Sequence, residues 1–184
     1  MAIPPVRPKQ KSLSGLAQIT ENLYLGNARA ASDSAAVKRH SITCIIHATE
    51  HNKHSTVARS EVEHVHVAVV DSPATPLIDH FDAVADKIHC VAEQSGRTLV
   101  HCNAGVSRSS TLCLAYLMKY RDMSLFEAHR LVKACRPLIR PNSGFWEQLI
   151  DYERRLRGIN TVTMIKSSVG EVPDLYEQEV KDML

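Results

Sequence analysis

The sequence lacks a hydrophobic run that could span a membrane, and it lacks cysteine pairs spaced for metal or redox chemistry. Its longest apolar stretches, such as Leu112 to Met118, fall well below the roughly 18 residues that a membrane span needs. The five cysteines are odd in number and include no C-x-x-C pair, which disfavours a disulfide framework and a zinc site. We therefore expect no transmembrane segment, and a reducing compartment.

A large excess of charge, internal repeats and low-complexity tracts are also missing. The formal net charge is +2 at pH 7, which is too small to indicate nucleic acid as a partner. The 184 residues are 44% hydrophobic and 23% charged, a composition typical of one globular domain. We assign this domain to residues 15–158, with a flexible, basic arm at residues 1–14 and a tail at residues 159–184 that has room for a short helix after Pro173.

The amino-terminal arm carries no clear targeting signal. Residues 1–11 contain three prolines and no apolar segment, so they do not resemble a secretory signal. Acidic residues are absent before Glu21, as in mitochondrial presequences, but the prolines oppose an amphipathic helix. We expect a cytoplasmic or nuclear location, with mitochondrial association left open.

Alternating strand and helix patterns predict the fold class. Buried strands are predicted at residues 42–48, 65–70 and 97–101, and a pair of short strands within residues 17–25. Between and after them lie helical patterns, the first with Ile78, Phe81, Ala85 and Ile88 on one face. This order predicts an α/β fold with a central, mostly parallel, twisted sheet that is flanked by helices.

Three further helices have well-marked ends. One is buried all round and begins near Ser109. The next begins with the capping box formed by Ser124 and Glu127, and it stops at Pro137. The last is capped near Asn142 or Ser143, and it ends at Gly158.

The most informative segment is Val100-His-Cys-Asn-Ala-Gly-Val-Ser-Arg-Ser-Ser110, between a predicted strand and a buried helix. A loop from a strand to a helix start offers unpaired N–H groups and the positive end of a helix dipole, which bind anions. Cys102 and Arg108 lie six residues apart, so such a loop can bring both side chains to one anion. The predicted phosphate-binding loop comprises Asn103, Ala104, Gly105, Val106, Ser107 and Arg108.

The residue types in this loop fit phosphoryl transfer. Helix amino termini and cations favour the thiolate form of cysteine, which makes Cys102 the predicted nucleophile. The planar fork of Arg108 can hold two phosphoryl oxygens. Gly105 permits a tight turn, and Ser109 places a hydroxyl near the sulfur for a second step. The alternative, an inert buried cysteine beside a surface arginine, does not explain the combined pattern.

These residues resemble the signature H-C-x2-G-x-S-R-S of the dual-specificity protein phosphatases. The resemblance extends through Ala115-Tyr-Leu-Met118, Arg136-Pro-Leu-Ile-Arg-Pro-Asn-Ser-Gly-Phe145 and Gln148-Leu-Ile-Asp-Tyr152, and so covers about residues 15–158. It implies hydrolysis of phosphotyrosine, phosphoserine and phosphothreonine through a phosphocysteine intermediate, without a metal or another cofactor. It also implies supporting roles for His101 and Asn142.

Within this family the chain looks closest to the small atypical members without a separate kinase-docking domain. The resemblance implies phosphoprotein substrates, with mitogen-activated protein kinases or their upstream kinases as the family-based expectation. It does not indicate an oligomeric state. Asn103 departs from the family pattern, because close relatives usually carry alanine there. We expect its side chain to alter the rim of the pocket and the chemistry to survive.

Expulsion of the leaving oxygen needs a proton donor, and three aspartates are candidates. Asp71 follows the predicted strand at residues 65–70, and α/β sites collect at such carboxyl ends. Asp79 and Asp82 fall at or inside the next helix, where a solvent-exposed role is expected. We therefore assign the general acid to Asp71, a position that the resemblance also implies.

The same residues disfavour other functions. A binding-only pseudophosphatase would lack the cysteine, the arginine or the acid, and all three are present. A lipid or RNA phosphatase would have more basic residues in the loop. Rhodanese and arsenate reductase chemistry would not explain the downstream helices. His64 and His66 share one predicted strand face, but no third ligand follows at metal spacing.

Overall fold

A five-stranded sheet forms the centre of the computed structural model, which describes residues 15–51 and 61–182. Its strands are β1 (Leu16–Gln18), β2 (Leu23–Asn27), β3 (Cys44–Thr49), β4 (Glu63–Ala68) and β5 (Thr98–Cys102). Their spatial order is β1-β2-β5-β3-β4, in which β1 is antiparallel to β2 and the remaining neighbours are parallel. The predicted α/β fold with a mostly parallel sheet is therefore confirmed. The predicted flexible arm at residues 1–14 lies outside the described residues.

Helices cover both faces of this sheet. They are α1 (Ala28–Ser32), α2 (Ser34–Arg39), α3 (Phe81–Glu93), α4 (Arg108–Tyr120), α5 (Leu125–Cys135) and α6 (Ser143–Arg157). Successive residues of a strand point to opposite faces. Accordingly, Ile46 and Val100 join the large core under the long helices, whereas Ile45 and Leu99 join a smaller core with α1 and α2.

The ends of the long helices follow the capping signals in the sequence. The capping box of Ser124 and Glu127 is present at the start of α5. The side chain of Asn142 accepts a hydrogen bond from the backbone N–H of Phe145, which caps α6. Gly158 ends α6 with φ 74°, a left-handed conformation. Local side-chain hydrogen bonds thus fix where α5 and α6 begin, and α6 begins beside the phosphate-binding loop.

The segment after α6 packs on the domain. It forms a hairpin of β6 (Met164–Ser167) and β7 (Gly170–Pro173), then a 3₁₀ turn (Asp174–Tyr176) and α7 (Glu177–Lys181). Val162, Tyr176 and Val180 are buried in the large core. The ring of Tyr176 lies 5.7 Å from that of Trp146 on α6. The sequence did not predict this hairpin, and residues 183–184 lie outside the described residues.

No helix within the described residues is both long and apolar enough to cross a bilayer.

Candidate active site

The candidate site lies where the central strand β5 meets helix α4. Cys102 is the last residue of β5 and Arg108 is the first residue of α4, so the loop between them sits at the carboxyl edge of the sheet. Gly105 has φ 68°, and a Cβ atom there would collide with the carbonyl oxygen of Gly26. Only glycine fits this turn, because both the backbone conformation and the close approach exclude a side chain.

The thiol of Cys102 is buried beside a hydroxyl group. Its Sγ lies 3.1 Å from Oγ of Ser109, and the two residues are 2% and 0% exposed. The N-cap residue of α4, Ser107, does not cap the helix with its side chain. The N–H groups in the first turn of α4 are therefore available to an anion held above the sulfur.

Arg108 is buried with an unused donor. Its Nη1 donates to the carbonyl oxygen of Val69 at 3.2 Å, and its Nε lies 3.9 Å from Oδ2 of Asp71. Within the described part of the chain, Nε of Arg108 is buried and has no hydrogen-bond acceptor. A buried donor without an acceptor costs about 1–3 kcal/mol, and a phosphoryl oxygen would supply the acceptor.

Asp71 lies at the edge of the same loop. Its Oδ1 accepts hydrogen bonds from Oγ of Ser107 and Nδ2 of Asn142, both at 2.8 Å. Its side chain is 38% exposed, so the carboxyl group is open to solvent and to a bound ester. The structure thus brings Asp71 and Asn142, two of the predicted site residues, to the phosphate-binding loop.

The two other aspartates lie elsewhere. Asp79 falls in a 3₁₀ turn (Leu77–His80) that precedes α3. Asp82 lies in the first turn of α3, where hydrogen bonds from Lys119 at 2.7 Å and Tyr152 at 2.8 Å lower the pKa of its carboxyl group. Asp82 therefore stays ionised and tied to α4 and α6.

A close contact fixes the loop that carries Asp71. A Cβ atom at Gly144, in the first turn of α6, would collide with the backbone carbonyl of Pro73. Glycine thus lets the backbone of residues 71–76, here called the acid loop, lie directly against α6. The same helix start carries Asn142, so α6 holds both the acid loop and the carboxyl group of Asp71.

Sequence reasoning gave Arg136 no role, yet this buried arginine braces the phosphate-binding loop from behind. Its Nε donates to the carbonyl oxygen of Gly105 at 2.7 Å, and its Nη2 donates to that of Ala104 at 3.1 Å. Nη1 reaches the carbonyl oxygen of Gly15 at 3.0 Å. Burial lowers the pKa of Arg136, and the nearby Cys102 opposes this shift. The signal for it in the sequence was its place at the start of the block from Arg136 to Phe145 that resembles the family.

His101 and Asn103 flank Cys102. Nδ1 of His101, which is 2% exposed, lies 3.1 Å from the carbonyl oxygen of Cys102. Asn103 has an exposed side chain, and its carbonyl oxygen accepts a hydrogen bond from the N–H of Ala28 at 3.1 Å. His101 thus lies beneath the loop, whereas Asn103 lies on its surface.

Together these features define a class of protein. A cysteine ends a buried parallel strand, an anion-binding loop leads into a helix, and a buried arginine and a carboxyl group converge on that loop. This is the arrangement expected of an α/β phosphatase.

Comparisons with known proteins agree with this class. The family model "Dual specificity phosphatase, catalytic domain" matches residues 23–155. Dual specificity protein phosphatase 18 of Homo sapiens is 51% identical over 180 residues, which cover 98% of this chain and 95% of that protein. Dual specificity protein phosphatase 14 of Bos taurus is 51% identical over 172 residues, or 94% and 86% of the two chains. The crystal structure of human DUSP28 superposes with a TM-score of 0.74 at 33% identity and covers 83% of this chain and 98% of that one.

The chain belongs to the dual-specificity phosphatase family. It is a small member of that family and a protein-tyrosine/serine/threonine phosphatase.

Proposed function

We propose that this phosphatase hydrolyses phosphotyrosine, phosphoserine and phosphothreonine in proteins through a phosphocysteine intermediate. The observation that carries the proposal is the convergence of three groups on one loop: the thiol of Cys102, the guanidinium of Arg108 and the carboxyl group of Asp71. Each supplies one requirement of phosphoryl transfer, namely a nucleophile, a clamp for the equatorial oxygens and a proton donor.

In the first step the thiolate of Cys102 attacks phosphorus and the ester P–O bond breaks. Asp71 delivers its proton to the leaving oxygen, which departs as a neutral hydroxyl group. The N–H groups at the start of α4 and the fork of Arg108 hold the three remaining phosphoryl oxygens. Ser107 and Asn142 position Asp71, because both donate to its Oδ1 and leave Oδ2 toward the loop.

In the second step water attacks phosphorus and the S–P bond breaks. Asp71, now a carboxylate, accepts the proton from water, and inorganic phosphate is released. The hydroxyl group of Ser109 donates to the departing sulfur, for which its 3.1 Å separation from Sγ is suitable. One carboxyl group therefore serves both steps, first as an acid and then as a base.

The substrate class and the compartment are part of the proposal. The family name supports phosphoproteins as substrates, and mitogen-activated protein kinase pathway proteins are the first to be tested. All five cysteines are free thiols, which favours the reducing cytoplasm or nucleus as the place of action.

The kcat of Asp71→Asn on phosphate esters with different leaving groups tests the proposal. We expect this variant to lose about 10²–10⁴ in kcat on alkyl phosphates. The loss should shrink with aryl phosphates of low leaving-group pKa, because such groups depart without a proton. Asp79→Asn is the matched control and should retain the activity of the unmodified protein.

Two further variants separate the steps. Cys102→Ser should abolish turnover while binding of phosphopeptide persists, and Cys135→Ser is the matched control. Ser109→Ala should accumulate phosphocysteine and produce a burst of product on aryl phosphates. The assignment of Asp71 as the acid would be overturned if the loss of kcat in Asp71→Asn were the same for all leaving groups. It would also be overturned if Asp79→Asn showed the dependence on leaving group instead.

A further inference from the structure

Three histidines form a hydrogen-bonded row that ends at the nucleophile. His101 lies on β5, His47 on β3 and His64 on β4, three neighbouring strands of the sheet. Nε2 of His101 is 2.6 Å from Nδ1 of His47, and Nε2 of His47 is 2.8 Å from Nδ1 of His64. His47 and His101 also face each other in the register of β3 and β5. The row thus runs beneath the phosphate-binding loop, on the face of the sheet opposite α4.

The deep burial of His47 and His101 is unusual for histidines in the strands of a parallel sheet. His47 and His101 are 1% and 2% exposed, and His47 interrupts an otherwise apolar run in β3. Strands inside parallel sheets are normally near-continuous apolar runs. A buried imidazole is tolerated when its ring nitrogens form hydrogen bonds, and here both nitrogens of His47 do.

The hydrogen-bond geometry assigns a direction to the row. The carbonyl oxygen of Cys102 only accepts, so Nδ1 of His101 carries a proton and donates to it. If the ring of His101 carries only that proton, its Nε2 accepts, and Nδ1 of His47 is the donor. By the same rule Nε2 of His47 accepts from Nδ1 of His64. Each ring therefore has one assigned tautomer, and each assignment depends on the previous one.

We propose that His47 is a positioning residue for the phosphatase reaction. By donating from Nδ1 to Nε2 of His101, it holds His101 in the tautomer and orientation that fix the carbonyl group of Cys102. That carbonyl belongs to the first peptide of the phosphate-binding loop, so its orientation sets the direction in which the loop leaves β5. The inference rests on the proposed function, in which the loop must present both Sγ and its N–H groups to one phosphoryl group.

Substitutions that imitate one ring nitrogen at a time test this role. The side-chain amide of asparagine lies near the place of Nδ1 in histidine, whereas the amide of glutamine lies near that of Nε2. His47→Asn can therefore still donate to His101, but His47→Gln cannot. We expect His47→Gln to lower kcat about tenfold with KM within about twofold, and His47→Asn to restore most of kcat. Loss of the donor at His47 should shift the thiol and the N–H groups of the loop, which lowers kcat. It should change substrate binding, and therefore KM, much less.

His66→Gln is the matched control. His66 lies on β4 directly across from His47, and its Nε2 bonds the carbonyl oxygen of Thr49 rather than a member of the row. Glutamine can keep that bond, so His66→Gln should retain kcat and KM. Equal losses in His47→Asn and His47→Gln, or the same loss in His66→Gln, would show that His47 acts only through packing.

The tautomers of His101 and His47 can also be measured directly in the unmodified protein, without a turnover assay. Long-range ¹H–¹⁵N correlation spectra of the imidazole rings report which nitrogen carries the proton. We expect the Nδ1–H tautomer for His101 and for His47, and Nε2–H in either ring would overturn the proposal. Because this result is independent of catalysis, it remains decisive even if phosphopeptides prove not to be substrates, a result that would refute only the proposed function.

Discussion

Replacement of Asn142 separates the folding role of this residue from its role at Asp71. Its Oδ1 accepts from the N–H of Phe145 at 3.0 Å and caps α6, while its Nδ2 donates to Oδ1 of Asp71 at 2.8 Å. Asn142→Ala removes both bonds. Asn142→Ser keeps a capping oxygen but is too short to reach Asp71. The two variants should therefore differ in stability and agree in catalytic loss.

The magnitudes follow from the two contacts. Loss of an N-cap costs about 1 kcal/mol, so Asn142→Ala should unfold at a lower urea concentration than Asn142→Ser. A hydrogen bond to a charged group is worth about 1.5–3 kcal/mol when buried. The side chain of Asp71 is 38% exposed, so the hydrogen bond from Asn142 should contribute only about 1 kcal/mol. Its loss corresponds to about a fivefold loss of kcat in both variants.

Urea denaturation and turnover of a phosphothreonine peptide measure the two effects. Repeating the turnover in an Asp71→Asn background provides the control, because a residue that acts through Asp71 should then have no further effect on kcat. Additive losses in the double variant would refute the coupling. Equal stability of the alanine and serine variants would refute the capping role.

Three other predictions concern the packing around the site. Gly144→Ala should lower both stability and kcat, by about 1–3 kcal/mol in the free energy of unfolding, because its methyl group meets the backbone of the acid loop; unchanged melting would contradict this. Glu153, which is fully buried, accepts from the N–H groups of Leu125 and Thr161, each at 2.8 Å. Glu153→Gln must turn its amide toward one of these donors, so chemical denaturation should show a loss of about 1–3 kcal/mol. Burial lowers the pKa of His129 to about 4. The unfolded chain therefore binds the additional proton between about pH 6.5 and 4, and stability should fall by up to about 3 kcal/mol as the pH drops through this window. Denaturation of His129→Gln across the same pH range should lack this contribution, and an unchanged slope would contradict it.

Much of the fold was predictable because its signals are local. The alternation of buried strands and long helices gave the sheet and α3 to α6, and capping residues such as Asn142 marked helix ends. The helices α1 and α2 were missed because each is only five or six residues long, too short to show a periodic apolar face. The hairpin of β6 and β7 was missed because its four-residue strands show no clear alternation.

The residues of the candidate site could be proposed from the sequence, but the side chains that hold them in place could not. The spacing of Cys102 and Arg108 within a strand–loop–helix segment is visible along the chain. The support that Arg136 gives to Gly105 depends on where α5 ends in space, which no local pattern encodes. The row through His47 depends on the register between parallel strands that are far apart in the sequence. Such pairings form only when the whole sheet assembles.

Strand β5 also has a consequence for folding kinetics. Among the strands of the described residues, β2 and β3 do not pair with each other, and β5 lies between them, so it alone joins the halves β1-β2 and β3-β4 of the sheet. Both junctions close long loops, because β5 begins at Thr98 whereas β2 ends at Asn27 and β3 ends at Thr49. Sheets that depend on such distant pairings fold slowly. The rate-limiting step in assembling this domain should therefore be the insertion of the strand that carries Cys102, and Val100→Ala should slow folding more than it speeds unfolding.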